Sequence, residues 1–270
     1  MRRFWRISRL FLLAYLGLLL LLVIFEKSLV FLPTKFPGGN WTVRHPVAEE
    51  ADFTAADGTR LHGWYAEHPA PRAVVLYAHG NAGNISHRYD VLRTLFDELK
   101  VSVLMFDYRG YGKSEGDPSE DGVLADARAA RAWLAKRAGV AEQDIILYGG
   151  SLGTGVMVDL AAADGARGLV LHSAYTSLPD VASCVYPWMP CRWVMRTQLD
   201  SLSKIAEYPG PLLQFHGEAD DLIPFDMGRR LFDAAPGLDK TWIPIPRGTH
   251  DDAPAPSFYR HFSEFLSRLK

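Results

Sequence analysis

The chain has 270 residues, 48% apolar and 22% charged, with a formal net charge of −2. That is ordinary for a globular protein and long enough for one large α/β domain with a full core. Arg2, Arg3, Arg6 and Arg9 supply four of the 29 basic residues, so the remainder carries 25 against 31 acidic. No basic field is left to attract nucleic acid, and a nucleic-acid partner is not expected.

Residues 10–25 form an uninterrupted apolar run. As a helix it covers roughly 24 Å, somewhat short of the ~30 Å hydrocarbon core, and Phe4, Trp5 and Ile7 extend its apolar surface. A cleaved signal peptide fits less well, because no small-x-small site follows the run; the next residues are Glu26-Lys-Ser-Leu-Val-Phe-Leu32. A buried core helix is disfavoured by the absence of a polar face. The segment 1–27 is therefore expected to be a single transmembrane signal anchor. Four arginines before the run, against Lys27 and Lys35 after it, put the N-terminus in the cytoplasm. The domain that follows is then expected on the periplasmic or extracellular side.

Pro33, Pro37, Gly38, Gly39 and Pro46 mark 28–48 as a linker or lead-in, which leaves 49–270 as the folded domain. Strands at 51–54 and 60–66 flank Asp57-Gly58, a hairpin signal. The run 73–78 reads as a buried parallel strand. A helix over 87–99, a strand over 101–106 and an alanine-rich helix over 121–138 follow. Next come a strand over 144–148, a helix over 152–163 and strands at 168–172 and 211–215. The chain closes with a helix at 227–234, a strand at 241–244 and an amphipathic helix at 258–269. Strands alternating with helices of this length imply right-handed βαβ units: a mostly parallel sheet with helices on both faces and an antiparallel N-terminal edge. The segment 174–209, with Tyr175, Tyr186, Trp188 and Trp193, breaks the alternation and reads as a short cap, or as a surface helix whose aromatics pack on the domain.

The chemistry is most concentrated in Asp144-Ile-Ile-Leu-Tyr-Gly-Gly-Ser-Leu-Gly-Thr-Gly155. An apolar strand runs into a Gly-x-Ser-x-Gly turn, and a helix of small residues leaves it. Gly149 and Gly153 remove the side chains that would clash in so sharp a turn, which exposes the Ser151 hydroxyl. A serine nucleophile needs a base, and the base needs an orienting acid. On a parallel sheet both belong on loops at the carboxyl ends of later strands. His216-Gly-Glu-Ala-Asp220 offers the acid: Asp220 is the candidate, with Glu218 and Asp221 as competitors, the latter also suited to capping a helix. Arg247-Gly-Thr-His250 offers the base, His250. The oxyanion donors are expected to be the Leu152 amide and, from the loop His79-Gly-Asn-Ala-Gly-Asn84, the Asn81 amide. His79 and Gly80 support that loop, and Asn84 is suited to a helix N-cap.

Asp107-Tyr-Arg-Gly-Tyr-Gly-Lys-Ser-Glu-Gly116 lacks phosphate-loop spacing and is read as a structural loop beneath the site. The carboxylates at 218–221 have no companion ligand group, so no metal and no cofactor is expected. Cys184 and Cys191, the two cysteines, are spaced for a local disulfide or for two buried thiols.

Together the motifs at 79–84, 107–114, 149–153, 173–177, 216–220 and 248–250 resemble the α/β-hydrolase superfamily, and more closely its Bem46-like serine hydrolases, over about 28–270. The resemblance implies Ser151 as nucleophile, Asp220 as acid and His250 as base. It also implies esterase, lipase or thioesterase activity on a small-molecule or lipid acyl substrate. The cysteine-rich N-terminus that anchors some relatives by acylation is absent, which weighs against their acylated-protein substrates. A peptidase or amidase of the prolyl-oligopeptidase type is the runner-up, although too few residues precede the first core strand for a propeller. A non-catalytic binding protein would show a broken triad, and this one is intact.

Overall fold

The computed structural model describes residues 2–42, 45–250, 252 and 256–269. Its strands are β1 (Leu32–Pro33), β2 (Ala48–Thr54), β3 (Arg60–Ala66), β4 (Val74–Ala78), β5 (Ala82–Gly83), β6 (Ser102–Asp107), β7 (Ile145–Gly150), β8 (Gly168–His172), β9 (Leu212–Gly217) and β10 (Lys240–Ile245). Its α-helices are α1 (Arg2–Ile24), α2 (Glu26–Val30), α3 (Tyr89–Asp97), α4 (Glu120–Ala138), α5 (Leu152–Asp164), α6 (Leu178–Val185), α7 (Cys191–Val194), α8 (Ser201–Ile205), α9 (Phe225–Ala234) and α10 (Pro256–Arg268).

Eight strands form one sheet in the order β10-β9-β8-β7-β4-β6-β3-β2. All neighbours are parallel except at the β2–β3 and β3–β6 pairs, which make the antiparallel edge. Residues along a strand face opposite sides, so the all-apolar strand β4 splits its side chains between two cores. Val74, Leu76 and Ala78 join α4 and α5 on one face; Val75 and Tyr77 join α3 and α10 on the other. The chain leaves β4 to build β6 on one side and later returns to place β7 on the other. Such a reversal opens a crevice at the carboxyl ends of the two strands, where ligands of α/β sheets bind.

The helices carry their own start and stop signals. Ser119 caps α4 by accepting from the Gly122 amide at 3.3 Å, and Gly139 ends the helix at φ 67°. The expected helix over 87–99 begins instead as a 3-10 turn at Ile85–Arg88, capped by Asn84, and ends its α-helical part at Asp97.

The described part of residues 28–48, expected as a linker or lead-in, packs onto the domain. Phe31 is 1% exposed, and β1 pairs in parallel with β5. The Asn84 side chain donates to the Thr34 and Gly38 carbonyls at 2.8 and 2.9 Å. Just before residues 28–48, the buried Glu26 carboxylate accepts from the Arg196 and Thr197 amides at 2.9 and 2.6 Å, tying α2 to the segment 174–209. The cysteines are both free, Cys184 exposed and Cys191 buried. Among the described residues one helix stretch, Phe4–Ile24, is long and apolar enough to cross a membrane, with a mean hydropathy of 2.5 and no fully buried residue.

Truncating Phe31 tests whether this segment is structural. Phe31→Ala should lower the unfolding free energy of the full chain by about 3–5 kcal/mol, as for other buried aromatics. Urea denaturation in detergent measures it, and a loss too small to resolve would return the segment to linker status.

Candidate active site

Ser151 stands between the end of β7 and the start of α5 with φ 50° and ψ −120°, a conformation that costs a non-glycine residue about 1–3 kcal/mol. The surrounding backbone holds it there. Its amide donates to the His172 carbonyl at 2.9 Å, and its carbonyl accepts from the Thr154 amide and hydroxyl at 2.8 and 2.7 Å. A Cβ on Gly153 would stand 2.1 Å from the Ala78 carbonyl oxygen, and one on Gly149 would stand 2.4 Å from the Gly153 carbonyl oxygen. The turn therefore closes only with glycine at both positions.

The structure brings Ser151, His250 and Asp220 into one hydrogen-bonded row. Ser151 Oγ lies 3.0 Å from His250 Nε2, and His250 Nδ1 lies 3.0 and 3.1 Å from the two Asp220 oxygens. The carboxylate also accepts from the Leu222 and Ile223 amides at 3.1 and 2.8 Å. Burial pushes the Asp220 carboxyl up, but His250 and the Ile223 amide outweigh it and hold it below the usual carboxylate range. Glu218 and Asp221 are exposed, and α9 begins after Pro224 without a side-chain cap, so neither competitor reaches the row.

The loop after β4 passes directly over the serine: a Cβ on Gly80 would stand 3.3 Å from Ser151 Cβ. Asn81 and Leu152 line the same cleft as Ser151. Among the described residues neither main-chain amide donates a hydrogen bond, which leaves both free to meet an anion. The Asn81 carbonyl, in contrast, is held from two sides, by the Tyr111 hydroxyl at 2.7 Å and the Leu32 amide at 3.1 Å. The buried His79 ring packs on Tyr108, whose hydroxyl donates to the His79 carbonyl at 2.9 Å. Asp107 accepts from the Ile85 amide at 2.8 Å and faces His79 Nε2 at 3.6 Å. The 107–116 loop thus orders the loop that carries Asn81.

Sequence reasoning missed the roles of Phe31, Leu32, Tyr108, Tyr111 and His172. The two tyrosines were visible in Asp107-Tyr-Arg-Gly-Tyr111, but nothing in that string names the carbonyls they bind. Burial lowers His172 to about 4, with smaller pushes from His216 and His250, so it is neutral near pH 7. Burial also lowers His216, whose Nε2 donates to the Ile223 carbonyl at 2.9 Å.

Two openings meet at Ser151. One is an apolar cleft of about 200 Å3 lined by Leu29, Val30, Tyr175, Val181 and Ile223. The other is a more polar groove of about 400 Å3 bordered by His250, His172, Arg88 and Asp252. Among the described residues no three His, Cys, Asp or Glu side chains converge as a metal site.

Known proteins place this geometry. Residues 69–203 match the family described as serine aminopeptidase, S33. The uncharacterized protein YfhR of Escherichia coli is 37% identical over 215 residues, covering 76% of this chain and 74% of YfhR. Protein bem46 of Schizosaccharomyces pombe is 30% identical over 261 residues, covering 90% and 86%. A crystal structure of the Pyrococcus furiosus esterase Pf2001 superposes with a TM-score of 0.73 at 19% identity, covering 89% of this chain and 98% of the esterase.

A histidine whose folded pKa lies below its unfolded value is protonated first in the unfolded chain, so stability falls as pH drops between the two. For His172 that window runs from about 6.5 to about 4, with a slope of at most about 1.4 kcal/mol per pH unit. His172→Gln should flatten the dependence of unfolding free energy on pH across this window. Equal slopes in the two proteins would contradict the assignment.

Proposed function

Because this chain belongs to the Bem46-like α/β-hydrolases, we propose that it is a serine hydrolase that cleaves carboxylic ester or thioester bonds through an acyl-enzyme. The observation that carries this reading is the row from Ser151 Oγ to His250 Nε2, at 3.0 Å, and from His250 Nδ1 to Asp220, at 3.0 Å. His250 takes the Ser151 proton as the hydroxyl attacks the substrate carbonyl, then delivers it to the leaving group. Asp220, kept ionised and fixed by two backbone amides, holds the imidazole tautomer and stabilises the imidazolium. The Asn81 and Leu152 amides receive the oxyanion. Water, activated by His250, then releases the acyl group.

The two openings suggest the polarity of binding. The apolar cleft suits the acyl chain, and the more polar groove suits the alcohol or thiol leaving group. No cofactor is needed for these steps. In this reading the apolar N-terminal helix anchors the enzyme with its N-terminus in the cytoplasm, and the catalytic domain works on the periplasmic or extracellular side. The segment 174–209 acts as the cap over the acyl cleft.

Ser151→Ala should lower turnover of a soluble butyrate ester by at least about 10⁴-fold without changing the thermal unfolding temperature. Asp220→Asn should cost about 10³–10⁴-fold in kcat, through the loss of the productive imidazole tautomer. Mass spectrometry after treatment with a fluorophosphonate should find the adduct on Ser151. Full turnover in Ser151→Ala, or an adduct elsewhere, would remove the assignment. Faster cleavage of an aminoacyl anilide than of the ester would move the reading to the peptidase class.

A further inference from the structure

The apolar cleft at Ser151 has a neighbour on the side of the apolar helix. It shares Leu29, Val30, Ala182, Tyr186 and Met195 with a second cavity of about 210 Å3. Leu22 and Val23 of α1 and Trp188 of the cap wall that second cavity. The carboxylate of Glu26, also on its border, is taken up by the Arg196 and Thr197 amides. Two adjoining apolar cavities, divided by these shared side chains, therefore lie between the serine and the side of the apolar helix, away from the polar groove.

The depth of the cap tip follows from a second contact. The Tyr15 hydroxyl donates to the Trp188 carbonyl at 3.1 Å, and the two rings meet edge to face at 6.5 Å. Tyr15 sits in the middle of the stretch Phe4–Ile24, roughly 14 Å along the axis from Ile24 at 1.5 Å per residue. With α1 across a bilayer, Trp188 lies at hydrocarbon depth rather than above the surface. The cap surface agrees with such a solvent: Trp193 is 92% exposed, and Val185, Tyr186 and Trp188 are each more than two-fifths exposed. Single exposed apolar residues are common, but four on one short cap beside an apolar helix form a patch that calls for an apolar covering.

We infer that α1 and the cap together form a lateral port, through which the acyl chain of a bilayer-resident lipid ester reaches Ser151 without leaving the membrane. This inference rests on the serine-hydrolase reading above and specifies its substrate class.

The test uses the full chain in phosphatidylcholine vesicles. A phospholipid carrying a diazirine at the end of one acyl chain is photolysed, and the labelled peptides are identified. Labels on 182–195 as well as on α1 are expected; labels confined to α1 would overturn the port. In parallel, Val23→Trp and Met189→Trp fill the second cavity at a distance from the serine. Each should lower the ratio of vesicle-borne oleoyl-ester turnover to dissolved butyrate-ester turnover by about tenfold or more. An unchanged ratio in both variants would overturn the port as well. Fluorophosphonate labelling of Ser151, run on the same samples, judges the hydrolase reading separately: its failure would sink that reading, whereas the photolabelling of the wild-type chain still decides the port.

Discussion

The tightest constraint in the molecule is the approach of the first turn of α5 to the end of β4, where Gly153 leaves room for the Ala78 carbonyl and for nothing more. This contact lets the chain reverse within a few residues of Gly149, and the reversal forces Ser151 into its positive-φ conformation. The strain is small beside what holds it: two backbone hydrogen bonds and one from the Thr154 hydroxyl at the turn, and an α5 buried on nearly every side. A side chain in so constrained a turn has one place to go, which is the crevice between β4 and β7. The positions of the other groups are set relative to that point. The Asn81 loop leaves β4, Asp220 follows β9, and His250 follows β10.

Electrostatics then separate the buried groups into ionised and neutral ones. Asp220 keeps its charge because two amides and His250 outweigh burial, whereas at His172 and His216 burial outweighs the pull of Asp220 and lowers both. A single buried negative charge beside His250 is the arrangement in which a transient imidazolium is favoured. Neutral histidines nearby add no competing positive charge. The same logic applies beneath the Asn81 loop, where Asp107 is buried completely yet lies below the usual carboxylate range through its histidine and amide partners.

The Asn81 loop is held from outside the sheet. Tyr111, Leu32 and Asn84 fix its carbonyls and turns, and two of these contacts reach the segment that joins the apolar helix to the domain. The cap segment contacts α1 through Tyr15 and α2 through Glu26. The apolar helix, the cap segment and the Asn81 loop are thus linked through hydrogen bonds.

Much of this was legible in the chain itself, because local rules decide it. Alternating apolar patterns set the βαβ order, and Gly149 and Gly153 two residues either side of Ser151 announced a turn only glycine can make. The order of Ser151, Asp220 and His250 along strand ends narrowed the candidates for the site, and the apolar run 10–25 marked a helix long and apolar enough to span a bilayer. Other features depended on groups distant in sequence. Proline and glycine at 33–46 read as a linker, since composition reports turns and cannot report that Phe31 finds a buried slot or that Asn84 waits for the Thr34 carbonyl. The choice of Asp220 over its acidic neighbours, the tyrosines that steady Asn81, and the meeting of the acyl cleft with α1 were decided only by tertiary structure. Each depends on which surfaces the folded sheet brings together, and sequence spacing carries no record of that.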